Sequence, residues 1–119
     1  LHLLGPGSAL VLHTGWAAHR GTPVYFDHPF LQPDAAAAVL ARGVRTIGID
    51  APNPDPTVIG AAPALLPVHH LVAAADGILV ENLTALEQVD LVDPWLSVLP
   101  LRLAGADGAP CRAVAFDQR

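Results

Sequence analysis

Two successive strand-helix-strand patterns constrain the fold of this chain more than any other feature. The apolar run Ala9–Leu12 predicts a buried strand, and a helix over residues 35–42 follows a long loop. Pro33 at the start of that helix and Gly43 at its end are typical helix boundaries. Residues 44–50 mix β-branched side chains with partial alternation, so they predict a second strand directly after the helix. This connection favours two parallel strands in one sheet.

The same pattern repeats in the middle of the chain. Residues 52–63 contain four prolines and predict a loop, which leads to a helix near residues 68–75 and a strand at residues 78–81. Residues 96–103 and 112–116 flank a Gly-Ala-Asp-Gly turn and predict a hairpin. The sequence therefore predicts an α/β fold with a mixed β-sheet and flanking helices, formed by residues 1–119 as one domain or part of one.

Composition narrows the functional classes. The chain is 52% apolar, carries a net charge of -5 and contains only six Lys and Arg residues, so we expect neither nucleic acid nor an anionic membrane as a partner. No apolar run is long enough to span a bilayer, and a soluble cytoplasmic protein is expected. The lone Cys111 is expected to be a small buried core residue. The chain lacks methionine and begins with Leu1, which favours a piece of a longer protein.

His69 and Glu81 are the strongest candidate metal ligands. Imidazole and carboxylate groups are ligands that zinc accepts. A helix of about eight residues rises roughly 12 Å and four extended residues span roughly 13 Å, so the two side chains can return to the same point. The neighbouring His70 would point about 100° away from His69 on a helix. A surface histidine pair remains the alternative, because two residues do not make a metal site.

Two other groups of polar residues carry alternative interpretations. Asp50 ends a predicted strand at the edge where α/β sheets bind ligands, but it is equally suited to capping a turn. Residues 19–29 contain two histidines and an aspartate in a spacing that fits no standard metal motif. We expect a shaped loop there, in which Trp16, Tyr25 and Phe26 pack together or line a pocket.

A series of short motifs occurs in consistent order along almost the whole chain. They are Thr14-Gly15-Trp16, Gly21-Thr22-Pro23-Val24-Tyr25, His28-Pro29, Gly43-Val44 with Gly48-Ile49-Asp50, Pro67-Val68-His69, Val80-Glu81-Asn82-Leu83, and Pro100-Leu101-Arg102 with residues 108–115. Together they resemble the C-terminal half of the cyclase family of metal-dependent hydrolases, which includes kynurenine formamidases (arylformamidases) and isatin hydrolases. The resemblance implies part of a swivelling β/β/α-type domain.

The resemblance also implies a chemistry and a ligand set. In this family zinc, or sometimes manganese, activates water to attack a formamide or cyclic amide, and the late metal ligands correspond to His69 and Glu81. The other ligands and the acid/base histidine belong to an upstream H-x-G-T-H-x-D-x-P-x-H motif that this chain lacks. Residues 19–22 imitate its beginning, but Pro23 stands where the second ligand should be. Trp16 and Tyr25 are the candidate residues of the substrate pocket.

We therefore expect a fragment of a metal-dependent amidohydrolase that acts on an aryl formamide or cyclic amide, as in tryptophan catabolism. The catalytic residues of this chain remain unknown, and alone it is expected to be inactive. The full-length form is expected to be a homo-oligomer with a small aryl amide as its substrate. Two alternatives remain open: a non-catalytic α/β binding module that lacks the metal motif, and an assembly in which another chain supplies the missing ligands.

Overall fold

The computed structural model describes residues 4–60 and 65–117. They divide into two compact units, of which the first ends at Leu86 and the second begins at Glu87. The first unit contains three strands and two α-helices. They are β1 (Ala9–Leu12), α1 (Pro33–Ala41), β2 (Thr46–Ile49), α2 (Pro67–Ala74) and β3 (Ile78–Val80), with short 3₁₀ helices at Trp16–His19 and Pro23–Phe26. A third 3₁₀ helix, Leu86–Gln88, begins at the last residue of this unit.

The three strands form a parallel sheet in the order β1-β2-β3. This arrangement confirms the two predicted strand-helix-strand units. Strand β2 is shorter than the predicted residues 44–50 at both ends. At its start Gly43 has φ +89°, which ends α1 and turns the chain before the ladder begins. At its end the Asp50 side chain holds the loop that follows β1.

Both helices contribute to one hydrophobic core that contains the centre of β2. Its buried members are Ala36, Val39, Leu40, Val44, Ile47, Val68 and Val72. Fully burying one such valine or leucine contributes about 1.5–3 kcal/mol before the entropy of ordering is counted. The core therefore fixes the position of α2 against β2, and with it the position of the first turn of α2.

The second unit contains the predicted hairpin. Strands β4 (Trp95–Pro100) and β5 (Cys111–Phe116) pair antiparallel, with Pro100 opposite Cys111 at the loop end. Cys111 is exposed, so the prediction of a buried core residue is wrong. An end position on a two-stranded sheet has too few neighbours to cover it. The α/β class with parallel and antiparallel strands is confirmed, although the two kinds of pairing occupy separate sheets. No helix in the described residues is long and apolar enough to cross a membrane.

Candidate metal centre

The topology of the parallel sheet brings His69 and Glu81 to the same edge. Glu81 directly follows β3, at the carboxyl end of that strand. Helix α2 connects two parallel strands, so it runs back along the sheet and its first turn, which holds His69, lies at this same edge. The His69 Nε2 atom is 3.2 Å from the Glu81 Oε1 atom. The structure thus brings together the two residues that the sequence singled out.

One oxygen of Glu81 lacks a hydrogen-bond partner. The Glu81 side chain is 30% exposed as a whole, but its Oε1 atom is buried and no described group donates a hydrogen bond to it. His69 lies within range of this oxygen, but the direction of approach is not that of a hydrogen bond. Burial raises the pKa of the Glu81 carboxyl, and the nearby His69 acts in the opposite direction. A buried carboxylate oxygen of this kind is costly unless a cation or donor meets it.

Asp55 is the functional candidate that sequence reasoning missed. Its carboxylate is fully buried and accepts hydrogen bonds from the backbone N–H groups of Val68, at 2.9 Å, and of His69, at 3.0 Å. Its Oδ2 atom is also 2.7 Å from the His69 Nδ1 atom. Asp55 therefore caps the N-terminus of α2 from a distant loop and contacts the ring of the candidate ligand.

A signal for Asp55 was present in the sequence, although a weak one. Helix α2 begins after Leu66, whose side chain cannot cap a helix, so its first N–H groups need an acceptor from elsewhere. Residues 52–63, the proline-rich part of the preceding loop, contain a single acidic side chain, Asp55 between Pro54 and Pro56. Pairing this side chain with the helix start would have required knowledge of the tertiary fold.

The Asp50 carboxylate is engaged by the loop after β1. It accepts hydrogen bonds from Thr14 N at 2.9 Å, Thr14 Oγ1 at 2.6 Å and Gly15 N at 2.7 Å. Burial by itself raises the pKa of Asp50, but these hydrogen bonds outweigh it and the pKa is lowered. Of the two sequence interpretations, the structure favours the turn-capping one, because the three donors occupy both carboxylate oxygens.

The loop that contains Trp16 and Tyr25 is hydrogen-bonded to Asn82, the residue after Glu81. Tyr25 is buried, and its hydroxyl donates to the Asn82 Oδ1 atom at 2.7 Å. The Trp16 Nε1–H donates to the Tyr25 carbonyl at 2.9 Å, and Arg20 donates to the Asn82 carbonyl at 2.6 Å. Asn82 itself has a positive φ of 57°. The assignment of Trp16 and Tyr25 to a substrate pocket remains a prediction.

Two further histidines of this unit, His28 and His70, do not contact the His69 and Glu81 pair through a hydrogen bond or ion pair among the described residues. His28 is buried, with Nδ1 2.9 Å from the Pro29 carbonyl and Nε2 2.8 Å from the Thr57 hydroxyl. His70 is exposed. Across residues 4–60 and 65–117, no three His, Cys, Asp or Glu side chains are arranged to hold one metal ion. Asp55 does not complete such a set, because it lies on the Nδ1 side of the His69 ring.

The chain is thus an α/β protein whose candidate metal ligands, His69 and Glu81, lie at the carboxyl ends of the parallel strands. The Cyclase family model matches residues 2–56. A kynurenine formamidase of Geobacillus thermodenitrificans is 36% identical over 105 residues, which cover 87% of this chain and 47% of that protein. A kynurenine formamidase of Bordetella pertussis is 42% identical over 88 residues, 74% of this chain and 40% of that protein.

Solved structures show the same relationship. A structure described as a potential metal-dependent hydrolase with cyclase activity aligns with a TM-score of 0.75 at 26% identity, over 99% of this chain and 55% of that chain. An isatin hydrolase bound to the product analogue thioisatinate has a TM-score of 0.81 at 22% identity, over 94% of this chain and 46% of that chain, and shows the shared fold. The chain belongs to the cyclase family. It spans less than half the length of the curated relatives named above.

Proposed function

We propose that this chain forms part of a metal-dependent amidohydrolase, in which His69 and Glu81 bind a divalent ion, zinc or manganese. The substrate class is an aryl formamide or a similar cyclic amide, in keeping with the kynurenine formamidase relatives. The observation that carries the proposal is the buried Glu81 Oε1 atom, which has no hydrogen-bond partner and faces the Nε2 atom of His69.

The spacing of these two atoms fits adjacent ligands of one ion. Zinc binds histidine nitrogen and carboxylate oxygen at about 2.1 Å, so two such ligands that subtend about 100° at the ion lie roughly 3.2 Å apart. The observed separation of Nε2 and Oε1 is 3.2 Å. A cation at this position would also neutralise the buried carboxylate, whose pKa is raised by burial.

When bound, a divalent ion lowers the pKa of water and polarises an amide carbonyl. The residues of this chain contribute binding and orientation. His69 and Glu81 hold the ion, while the core beneath α2 fixes the helix turn that carries His69. Hydrogen bonds to Asn82 from Tyr25 and Arg20 fix the backbone directly after Glu81. The acid/base histidine is expected from the upstream motif, together with the remaining ligands.

Metal binding by the chain tests the ligand assignment. We expect isothermal titration with Zn²⁺ to show a weak site, because two protein ligands leave most of the coordination sphere to water. His69→Ala and Glu81→Ala should each abolish this site. His70→Ala is the matched control, since it removes the exposed neighbouring imidazole. Zn²⁺ binding that survives both ligand substitutions would refute the assignment.

Activity must be tested on the protein encoded by the parent reading frame, with any sequence upstream of residue 1. We expect that protein to hydrolyse an aryl formamide, to lose the activity with a chelator and to regain it with Zn²⁺ or Mn²⁺. The competing interpretation is a non-catalytic α/β binding module, which is favoured by the lack of a third ligand among the described residues. An intact parent frame without a His/Asp-rich motif, and without activity, would establish that alternative.

A further inference from the structure

The contacts of Asp55 suggest a second role beyond capping α2. Its Oδ1 atom accepts from the Val68 backbone N–H, which accounts for one oxygen. Its Oδ2 atom accepts from the His69 backbone N–H and also lies 2.7 Å from the His69 Nδ1 atom, the shortest of the three contacts. The Asp55 side chain is 0% exposed, so water does not compete for these positions. An ionised carboxylate only accepts hydrogen bonds, so the proton must lie on Nδ1.

The placement of this proton decides what the other ring nitrogen can do. A neutral imidazole carries one proton, so a proton on Nδ1 leaves Nε2 with a free lone pair. Nε2 is the atom that faces Glu81. We propose that Asp55 is a positioning residue that holds the His69 ring in the Nδ1–H form and thereby keeps Nε2 available as the ligating nitrogen. The consequence for metal binding rests on the proposed function, whereas the proton position does not.

Substitution by asparagine separates this role from simple capping. An amide has one acceptor oxygen in place of two, so Asp55→Asn cannot accept from both helix N–H groups and from the imidazole at once. With its oxygen at the Oδ2 position the amide keeps both contacts to His69 and loses the one to Val68; with its oxygen at the Oδ1 position it presents the NH₂ group to the ring. When the amide NH₂ group faces the ring, Nδ1 must become the acceptor and the proton moves to Nε2. Partners of this kind around metal-binding histidines typically change metal affinity by 10–100-fold.

Asp50→Asn provides a matched control. Asp50 is also almost fully buried, also lies beyond the carboxyl ends of the strands and also accepts three hydrogen bonds. It has no hydrogen bond to His69. A general loss of stability should therefore appear in both variants, whereas a change in the His69 ring should appear only in Asp55→Asn.

The experiment is long-range ¹H–¹⁵N correlation NMR of the metal-free chain labelled at histidine, at about pH 9, more than two units above the ordinary imidazole pKa of about 6.5. His69→Gln assigns the signal. His28 is an internal reference, because its Nδ1 donates to the Pro29 carbonyl. We expect the Nδ1–H form of His69 in the wild type and in Asp50→Asn. In Asp55→Asn, whose amide can present either its oxygen or its NH₂ group to the ring, we expect a larger Nε2–H fraction than in the wild type and about a tenfold loss of Zn²⁺ affinity.

Several results would overturn the proposal. The proposal is overturned if His69 of the wild type is in the Nε2–H form or is doubly protonated at this pH. This outcome is measured on the wild type alone, so it holds even if Asp55→Asn fails to fold. An Asp55→Ala chain that keeps the Nδ1–H form would overturn it as well, because alanine has no side-chain acceptor for the ring. If the wild type binds no Zn²⁺ but the proton moves as expected, the role of Asp55 stands and the metal assignment fails.

Discussion

Glu81→Gln should change the stability of the chain in opposite directions without and with metal. In the metal-free wild type with the proton on Nδ1, the His69 Nε2 atom and the Glu81 Oε1 atom are two acceptors that lie 3.2 Å apart without a proton between them. A glutamine amide can place its NH₂ group at the position of Oε1 and donate to Nε2. The same substitution replaces the proposed anionic ligand with a neutral amide, which is a much poorer partner for zinc.

The magnitude follows from the burial of that oxygen. An unsatisfied buried acceptor costs about 1–3 kcal/mol, and a new hydrogen bond contributes about 0.5–1.5 kcal/mol. Since the Glu81 side chain is 30% exposed, we take the low end and expect Glu81→Gln to raise the free energy of unfolding by about 1 kcal/mol. With an unfolding entropy of about 2.1 cal/mol/K per residue, this raises the Tm by about 4 °C for a chain of this size.

Thermal denaturation followed by circular dichroism, in EDTA and in excess Zn²⁺, measures both effects. Zinc at about 100 times its Kd should stabilise the wild type by about 2.7 kcal/mol and leave the variant unchanged, so the order of stability inverts. Glu87→Gln is the control, because Glu87 is exposed and should change stability by less than about 0.5 kcal/mol. If Glu81→Gln lowered the Tm in EDTA, the account of an unpartnered Oε1 atom would be refuted.

Three further substitutions test the surrounding framework. Asp50→Asn should lower the free energy of unfolding by about 2 kcal/mol at pH 7. Since the pKa of Asp50 is lowered in the fold, the stabilisation it provides is present above about pH 3.8 and is lost as the pH falls through the folded pKa. Acid denaturation of the variant should therefore depend less on pH than that of the wild type. Gly77→Ala places a Cβ 2.9 Å from a backbone carbonyl and should cost about 1–3 kcal/mol in urea denaturation, whereas Gly5→Ala, with open space around it, should not. Tyr25→Phe removes the donor to Asn82 and should cost about 1 kcal/mol in the same assay.

The sequence predicted those parts of the fold that depend on local patterns. Strand Ala9–Leu12 and the helix ended by Gly43 were predictable because burial periodicity and helix-ending residues act over a few positions. The approach of His69 to Glu81 was also predictable, since the helix and strand between them have nearly equal lengths and opposite directions. The exposure of Cys111 was not, because the apolar residues around it indicate a strand but not how many strands cover it.

Contacts between distant loops could not be predicted in the same way. Asp55 reaches the start of α2 across a proline-rich loop, and nothing in the residues between them specifies the path. The same holds for Asp50. The sequence places it directly after a strand, but whether its carboxylate contacts Thr14 or a ligand depends on how the loop after β1 folds. In both cases an acidic residue satisfies backbone donors that regular structure leaves unpaired.

The two buried aspartates, Asp50 and Asp55, differ in the kind of group that their carboxylates hydrogen-bond. Asp50 accepts hydrogen bonds from Thr14 and Gly15 in the loop after β1, and neither residue has a second side-chain group suited to bind a metal. Asp55 engages a backbone helix start and a side chain whose second nitrogen remains available. The same carboxylate contacts both the helix start and the ring, and in this arrangement Nε2 lies 3.2 Å from the Glu81 Oε1 atom. A cation bound as proposed above would give the unpartnered Oε1 atom a partner without moving either side chain.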